Sequence, residues 1–176
     1  MKNEKFFRLF ILILFLLLFF KTPVFAQSSY ILPYPSSMPD SLSYKIHLIY
    51  ESISKYWYFG DFGQFDYNLK MADKYLVETK TLFEYKQYLL GYKALKKSDQ
   101  YFVNILPSLI RAKKNGKNIS QKEVIFTEAS KKHIEVLQGM IGSVPEVFIW
   151  EPEKSISTKL NLRIALDISI QLREKN

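Results

Sequence analysis

Cysteine is absent from this chain of 176 residues. Its absence excludes disulfides, a cysteine nucleophile and lipoprotein attachment through a lipobox cysteine. The folded domain must therefore stand on its hydrophobic core. Histidine occurs only twice, and a catalytic or structural metal site asks for three or four ligands. No Gly-x-Ser-x-Gly elbow is present for a serine nucleophile. Asp61-Phe62-Gly63 matches the kinase metal-binding tripeptide, but the glycine-rich loop, strand lysine and catalytic-loop aspartate that must accompany it are missing. Strand-like alternation long enough to build a sheet is lacking, and no internal repeat is convincing. These absences point away from catalysis, and no residue is assigned as catalytic, cofactor-binding or metal-ligating.

The one long apolar run lies near the start. Lys2, Lys5 and Arg8 precede an unbroken run over residues 9–20, followed by Lys21, Pro23 and Val24-Phe25-Ala26. Twelve residues at about 1.5 Å each span ~18 Å, short of the ~30 Å hydrocarbon core. This is the grammar of an export signal, with cleavage expected between Ala26 and Gln27. The other reading is an uncleaved anchor starting near Phe6, with Arg8 snorkelling toward the headgroups. Membrane contact is expected only through such an uncleaved signal.

Removing residues 1–26 would take away four basic residues and one acid, lowering the formal charge from +8 to +5. That excess favours contact with an anionic envelope polymer or lipid surface. An exported protein of this charge is not expected to bind nucleic acid.

What remains divides into residues 27–40, an extended arm, and residues 41–176, a helical bundle domain. Pro33, Pro35 and Pro39 remove backbone donors and fix φ in the arm. Asp40 or Ser41 is expected to cap a first helix carrying Leu42, Ile46, Ile49, Ile53 and Trp57 at helical spacing. Gly60 and Gly63 interrupt it. A second helix from about Gln64 places Phe65, Leu69, Ala72, Leu76, Thr79 and Phe83 at alternating spacings of four and three, the seam of a helix packed against neighbours. A third pattern runs through Tyr85, Tyr88, Tyr92, Leu95, Phe102, Leu106 and Leu109, with Asp99 as a polar intrusion and Pro107 expected to kink or break it. Gly116 is a candidate C′ residue. Ser120 and Glu123 form the pattern of a capping box ahead of Phe126, Ala129, His133, Leu137 and Met140. Residues 147–150 are expected as extended chain over the bundle. A last helix, from about Thr158 to Arg173, carries Leu160, Ile164, Ile168 and Leu172 on one stripe. The expected fold is an all-α bundle of about five helices, built as antiparallel hairpins.

Tyr30-Ile31-Leu32-Pro33-Tyr34-Pro35, Met38-Pro39-Asp40-Ser41, Tyr44-Lys45 and Ala72-Asp73-Lys74-Tyr75-Leu76-Val77-Glu78 together resemble an uncharacterised family of exported bacterial helical proteins, catalogued only as a domain of unknown function. The resemblance covers roughly residues 28–110. Tyr75 stands where the family usually has arginine, and Thr79 where it has alanine. The resemblance implies export and a helical fold; it carries no catalytic residues.

Two constellations remain. His47 and Glu51 stand four apart on the first helix and would make a metal site if His133 joined them from the fourth; the plainer reading makes His133 a hydrogen-bonded core imidazole. Tyr56-Trp57-Tyr58-Phe59, continued by Phe62, Phe65 and Tyr67, is an aromatic cluster that either closes the end of the bundle or offers Trp57, Tyr58, Phe59 and Phe62 as a platform for a ligand. The basic run over residues 111–122 reads first as a helix end and loop, and second as an anionic-surface patch. Asn118-Ile119-Ser120 fits a glycosylation pattern but is better explained by the cap. The sequence thus describes an exported, non-enzymatic helical protein acting by contact with an envelope protein or an anionic envelope polymer, with the arm as tether or docking segment. The alternative is an extracytoplasmic ligand- or polysaccharide-binding module built on the aromatic cluster near Trp57. A third possibility, an envelope hydrolase, would need carboxylates assembled in space.

Overall fold

The computed structural model describes residues 28–35, 42–154 and 156–175. The signal segment, its cleavage site, and the Asp40 or Ser41 cap lie outside the described residues, as does the His47 side chain. The chain folds as an all-α bundle with one small sheet. Its elements are α1 (Leu42–Ser54), α2 (Gly60–Glu84), α3 (Tyr88–Phe102), α4 (Ile105–Lys114), α5 (Ser120–Ile141), β1 (Val147–Trp150), β2 (Thr158–Asn161) and α6 (Leu162–Glu174). Among the described residues, no helix is long and apolar enough to cross a membrane.

The 25-residue α2 is the axis of the bundle. Its seam residues Phe65, Leu69, Ala72, Leu76, Thr79 and Phe83 are all buried, as their spacing requires. One side of α2 packs on the end of α3 and on α4 and α5 through Phe65, Leu69, Phe102, Leu109 and Phe126. Further along, Leu76 and Phe83 meet Leu95, Leu137, Leu162 and Leu166 from α3, α5 and α6. The α5 face expected from sequence, Phe126, Ala129, His133, Leu137 and Met140, is buried throughout. Each of these large aliphatic or aromatic side chains contributes roughly 1.5–3 kcal/mol on leaving water.

Three helix boundaries depart from expectation for local reasons. The turn between α2 and α3 is a Schellman closure with Lys86, not glycine, in the left-handed position at φ 60°. Lys86 N–H donates to Phe83 O at 2.9 Å and Gln87 N–H to Leu82 O at 2.8 Å. Tyr85 therefore caps α2 rather than opening the next helix. The same closure at the end of α4 uses Gly116 at φ 74°, with Gly116 N–H on Lys113 O and Lys117 N–H on Ala112 O, both at 3.0 Å. The third pattern divides at Val103-Asn104 into α3 and α4. Pro107 then falls in the first turn of α4, where its missing N–H leaves no bond unmade. The Ser120–Glu123 capping box does not form: Ile119 is the N-cap residue and offers no side-chain cap. The Ser120 N–H instead donates to Asn118 Oδ1 at 3.0 Å.

Gly91 lies inside α3 because the α2–α3 hairpin is too close there for a side chain. An added Cβ would stand 2.4 Å from the Phe83 ring.

The last segment needed the largest correction. Residues 158–161, expected as the start of the last helix, are instead a strand that pairs antiparallel with 147–150, in the register Val147↔Asn161 to Trp150↔Thr158, and the helix begins at Leu162. The buried face of α6 is Leu162, Ala165, Leu166, Ser169, Ile170 and Arg173. Ile164 and Ile168, expected inside, are exposed. The inward face carries a serine and an arginine, and an apolar count therefore selects the wrong side of the helix.

Lys86 in the left-handed region predicts that Lys86→Gly stabilises the protein by about 0.5–1 kcal/mol. A rise in the denaturation midpoint at unchanged slope would bear this out.

Candidate functional site

The most densely built polar site lies where α2, α3, α5, α6 and the arm meet. Asp73 projects from α2 one residue beyond the seam position Ala72, toward α5. Ser98 and Asp99 are neighbours on α3. Ser169 and Arg173, four apart, share one face of α6. His133 comes from the buried face of α5. Arg173 and His133 are essentially inaccessible to water.

Arg173 organises the group. Its Nη1–H donates to Asp99 Oδ1 at 2.7 Å and to Ser169 O at 2.9 Å, and its Nη2–H donates to Ser98 Oγ at 2.9 Å. Ser98 passes its own hydroxyl proton to Ala72 O on α2 at 2.8 Å, and Ser169 donates to Asp99 Oδ2 at 2.7 Å. The guanidinium carbon also lies 4.7 Å from the centre of the Phe102 ring, a cation–π contact within the core. Burial lowers the Arg173 pKa from its ordinary range and Asp99 opposes the shift; a guanidinium keeps its proton in any case.

The state of His133 follows from its partners. Arg173 Nε–H points at His133 Nδ1 at 3.1 Å. A guanidinium can only donate, so Nδ1 carries the lone pair and Nε2 carries the proton. That Nε2–H donates to Asp73 Oδ1 at 2.7 Å. The imidazole is therefore neutral. Burial is the main cause of its lowered pKa, the Asp73 hydrogen bond opposes the shift, and the Arg173 charge adds to it. Tyr30, from the arm, donates its hydroxyl proton to Asp73 Oδ2 at 2.7 Å. Its phenol is held protonated above the usual range, first by burial and then by the Asp73 charge. Ser28 anchors the same stretch of arm by donating to Glu128 O of α5 at 2.9 Å.

This constellation has the residue types of an acid–base relay but not the openings. Both imidazole nitrogens are engaged, so His133 has no lone pair to offer a substrate proton. Each oxygen of Asp73 and of Asp99 has a donor inside the protein. What the group can do chemically is join four helices and the arm.

The other residues singled out from sequence are scattered. Among the described residues, no set of three His, Asp or Glu side chains could hold a metal. Glu51 is ion-paired with Lys74 and accepts from the Tyr75 hydroxyl at 2.9 Å. Asp61 sits in the first turn of α2 and accepts from Asn115 Nδ2 at 2.9 Å and Lys117 Nζ at 3.2 Å, which ties the start of α2 to the end of α4. The aromatic cluster divides at Gly60. Phe65 and Tyr67 are buried and Tyr58 and Phe62 half-buried, but Tyr56, Trp57 and Phe59 are exposed. They do not form a single stacking surface.

Helix α1 is seated in an unusual way. It meets α2 through a polar edge: Glu51 with Lys74 and Tyr75, and Tyr67 Oη donating to Glu51 O at 3.3 Å. Among its described side chains the isoleucines face outward, Ile46 and Ile49 each 62% and Ile53 50% exposed, and Trp57 in the turn after α1 is 64% exposed. The sequence marked this stripe correctly as apolar and gave no sign that it would be left uncovered. It also missed Tyr30, Asp99 and Arg173 as partners, although Asp99 in an apolar pattern was the available signal.

Compared with family models, curated proteins and solved structures, the chain matches none.

Replacing Arg173 with Met leaves Asp99 buried without its cation and should destabilise the protein by about 3–5 kcal/mol, read from urea denaturation; changing Asp99→Leu in the same chain should recover part of that. His133 is neutral when folded and titrates near 6.5 when unfolded. The unfolded state therefore binds the extra proton first, and stability falls as pH drops below about 6.5. Denaturation curves between pH 7.5 and 5 should show this fall, and His133→Gln should flatten it. An unchanged slope in that variant would assign the dependence to other groups.

Proposed function

We propose that this is an exported, non-enzymatic contact protein of the cell envelope that engages a polypeptide partner through the outward face of α1. The observation that carries the reading is the seating of that helix. A helix held only for stability turns its apolar residues inward, whereas among the described residues of α1 the bonds to α2 are polar and Ile46, Ile49 and Ile53 face solvent. Ile46, Ile49 and Ile53 recur over two turns of α1, with Trp57 exposed in the turn that follows, the spacing by which a helix fills a groove in another protein. Exposed apolar side chains grouped in this way mark interaction surfaces far more often than isolated ones do.

The address rests on the basic start, the apolar run over residues 9–20 and the Val24-Phe25-Ala26 sequence ahead of Gln27. The resemblance of residues 28–110 to exported helical proteins agrees with it. The closed hydrogen bonding around His133 supports a structural role for the best-built polar cluster, which leaves contact as the activity to be tested.

A photoreactive amino acid placed in turn at Ile49, Ile53 and Trp57 should cross-link one discrete envelope polypeptide in cells. The same residue at exposed Gln138 on α5 should not. Ile49→Glu should abolish the adduct while shifting stability by no more than about 0.5 kcal/mol, as befits an exposed site. A protein N-terminus at Gln27 in the same sample would support export. Cross-links to lipid alone, a large loss of stability in Ile49→Glu, or turnover of an envelope substrate by the purified domain would each overturn the proposal.

A further inference from the structure

The inner edge of α1 forms one wall of a cleft of about 410 Å³ against α2 and α3. This is within the lower part of the range for small-ligand sites, ~300–1,000 Å³. Tyr67, Tyr75 and Tyr101 form its floor, with Lys55, Lys97 and Gln100 around it. The floor is rigid. Tyr75 and Tyr101 stack with ring planes 2° apart, and Tyr67 meets Tyr101 edge-on at 5.8 Å between centroids.

Charge decides what such a cleft would accept. Glu51 is the acid in its lining, and it is already neutralised: one oxygen is paired with Lys74 and the other takes the Tyr75 hydroxyl proton. Lys97 and Lys55 rest over the Tyr75 and Tyr56 rings at 4.8 and 4.9 Å from the centroids. Among the described residues, neither forms a salt bridge with a carboxylate. Two ammonium groups are thus held at the edge of a phenol-lined cleft with no carboxylate partner among the described residues. The exposed Gln100 amide adds a hydrogen-bonding group at the same opening.

We infer that this cleft binds a small hydroxylated molecule bearing a phosphate or carboxylate, the anion meeting Lys55 and Lys97 and the hydroxylated body lying against Gln100 and the tyrosine floor. The inference is independent of the partner on the outer face of α1. The same chemistry is presented by a free sugar acid or polyol phosphate and by the repeating unit of an anionic polymer.

The test is calorimetric titration of the purified chain with glycerol 3-phosphate, glucuronate and polygalacturonate. Wild-type protein should bind at least one of these saturably. The Lys55→Gln, Lys97→Gln double variant should weaken that binding about tenfold or more, as expected for lost charge-assisted contacts. Gln100→Ala, an exposed change, should weaken it without altering the melting temperature. Lys113→Gln with Lys114→Gln, at the far end of α4, should leave it intact. Binding of a monomer in this pattern assigns a free anion as ligand; binding of polygalacturonate alone in this pattern assigns a polymer unit. No saturable binding by any probe would overturn the inference. So would full affinity in the Lys55/Lys97 variant, or an equal loss in the Lys113/Lys114 variant.

Discussion

The architecture depends on how one buried cation is shared. Arg173 is the largest fully buried side chain, and it arrives near the end of the last helix. Taking a guanidinium out of water costs several kcal/mol even after relaxation. Asp99, Ser98, the Ser169 carbonyl and the imidazole nitrogen of His133 offset that cost by taking up its N–H groups. Two buried carboxylates surround a single guanidinium, so a second source of donors is needed. The neutral His133 Nε2–H and the Tyr30 hydroxyl provide it at Asp73. The proline-punctuated arm is thereby part of the core's polar balance and not only a connector.

Such a cluster adds selectivity more than net stability. An apolar core of the same shape would hold these helices at least as tightly, but it would tolerate α6 rotating or sliding on α5. Hydrogen bonds from one guanidinium on α6 to two other helices, α3 and α5, admit a single rotation of α6. That explains why α6 buries Ser169 and Arg173 while Ile164 and Ile168 stay in solvent. It also explains where sequence reading failed. Helices α2 and α5 were legible because their buried faces are apolar and repeat at helical spacing. The α6 face was illegible because its inward residues are polar, and their burial is decided by partners 40 to 75 positions away in the chain.

Boundaries show the same division between local and distant causes. Gly116 announced the end of α4 because glycine is the usual residue in the left-handed position. Lys86 occupies the same position after α2 and gives no signal at all, so the tyrosines on either side of it read as one continuous pattern. Pro107 was read as breaking a helix. The break falls three to four residues ahead of it, where the chain avoids the clash and the missing hydrogen bond together. The short β1–β2 pair was invisible because four-residue strands carry too little alternation to distinguish them from extended chain. Of the candidate sites, the α1 stripe was legible as apolar. The cleft was not, because it assembles from two or three residues on each of three separate segments of the chain.

Helix α1 lies between the two proposed binding surfaces. Glu51 fixes its inner edge to Lys74 and Tyr75, and that same attachment neutralises the acid in the cleft wall. One ion pair therefore sets both the outward pose of Ile46, Ile49, Ile53 and Trp57 and the positive character of the space behind them. An anion entering the cleft would meet Lys55, in the turn that ends α1, and Lys97 on α3, bridging α1 to the bundle by a second charged link. Because the bonds of α1 among the described residues are chiefly polar, such a link would favour the pose that presents Ile46, Ile49 and Ile53. Binding at the inner edge and contact at the outer face would then assist each other by the same free energy in both directions. The coupling requires only that both ligands prefer the attached pose of the helix.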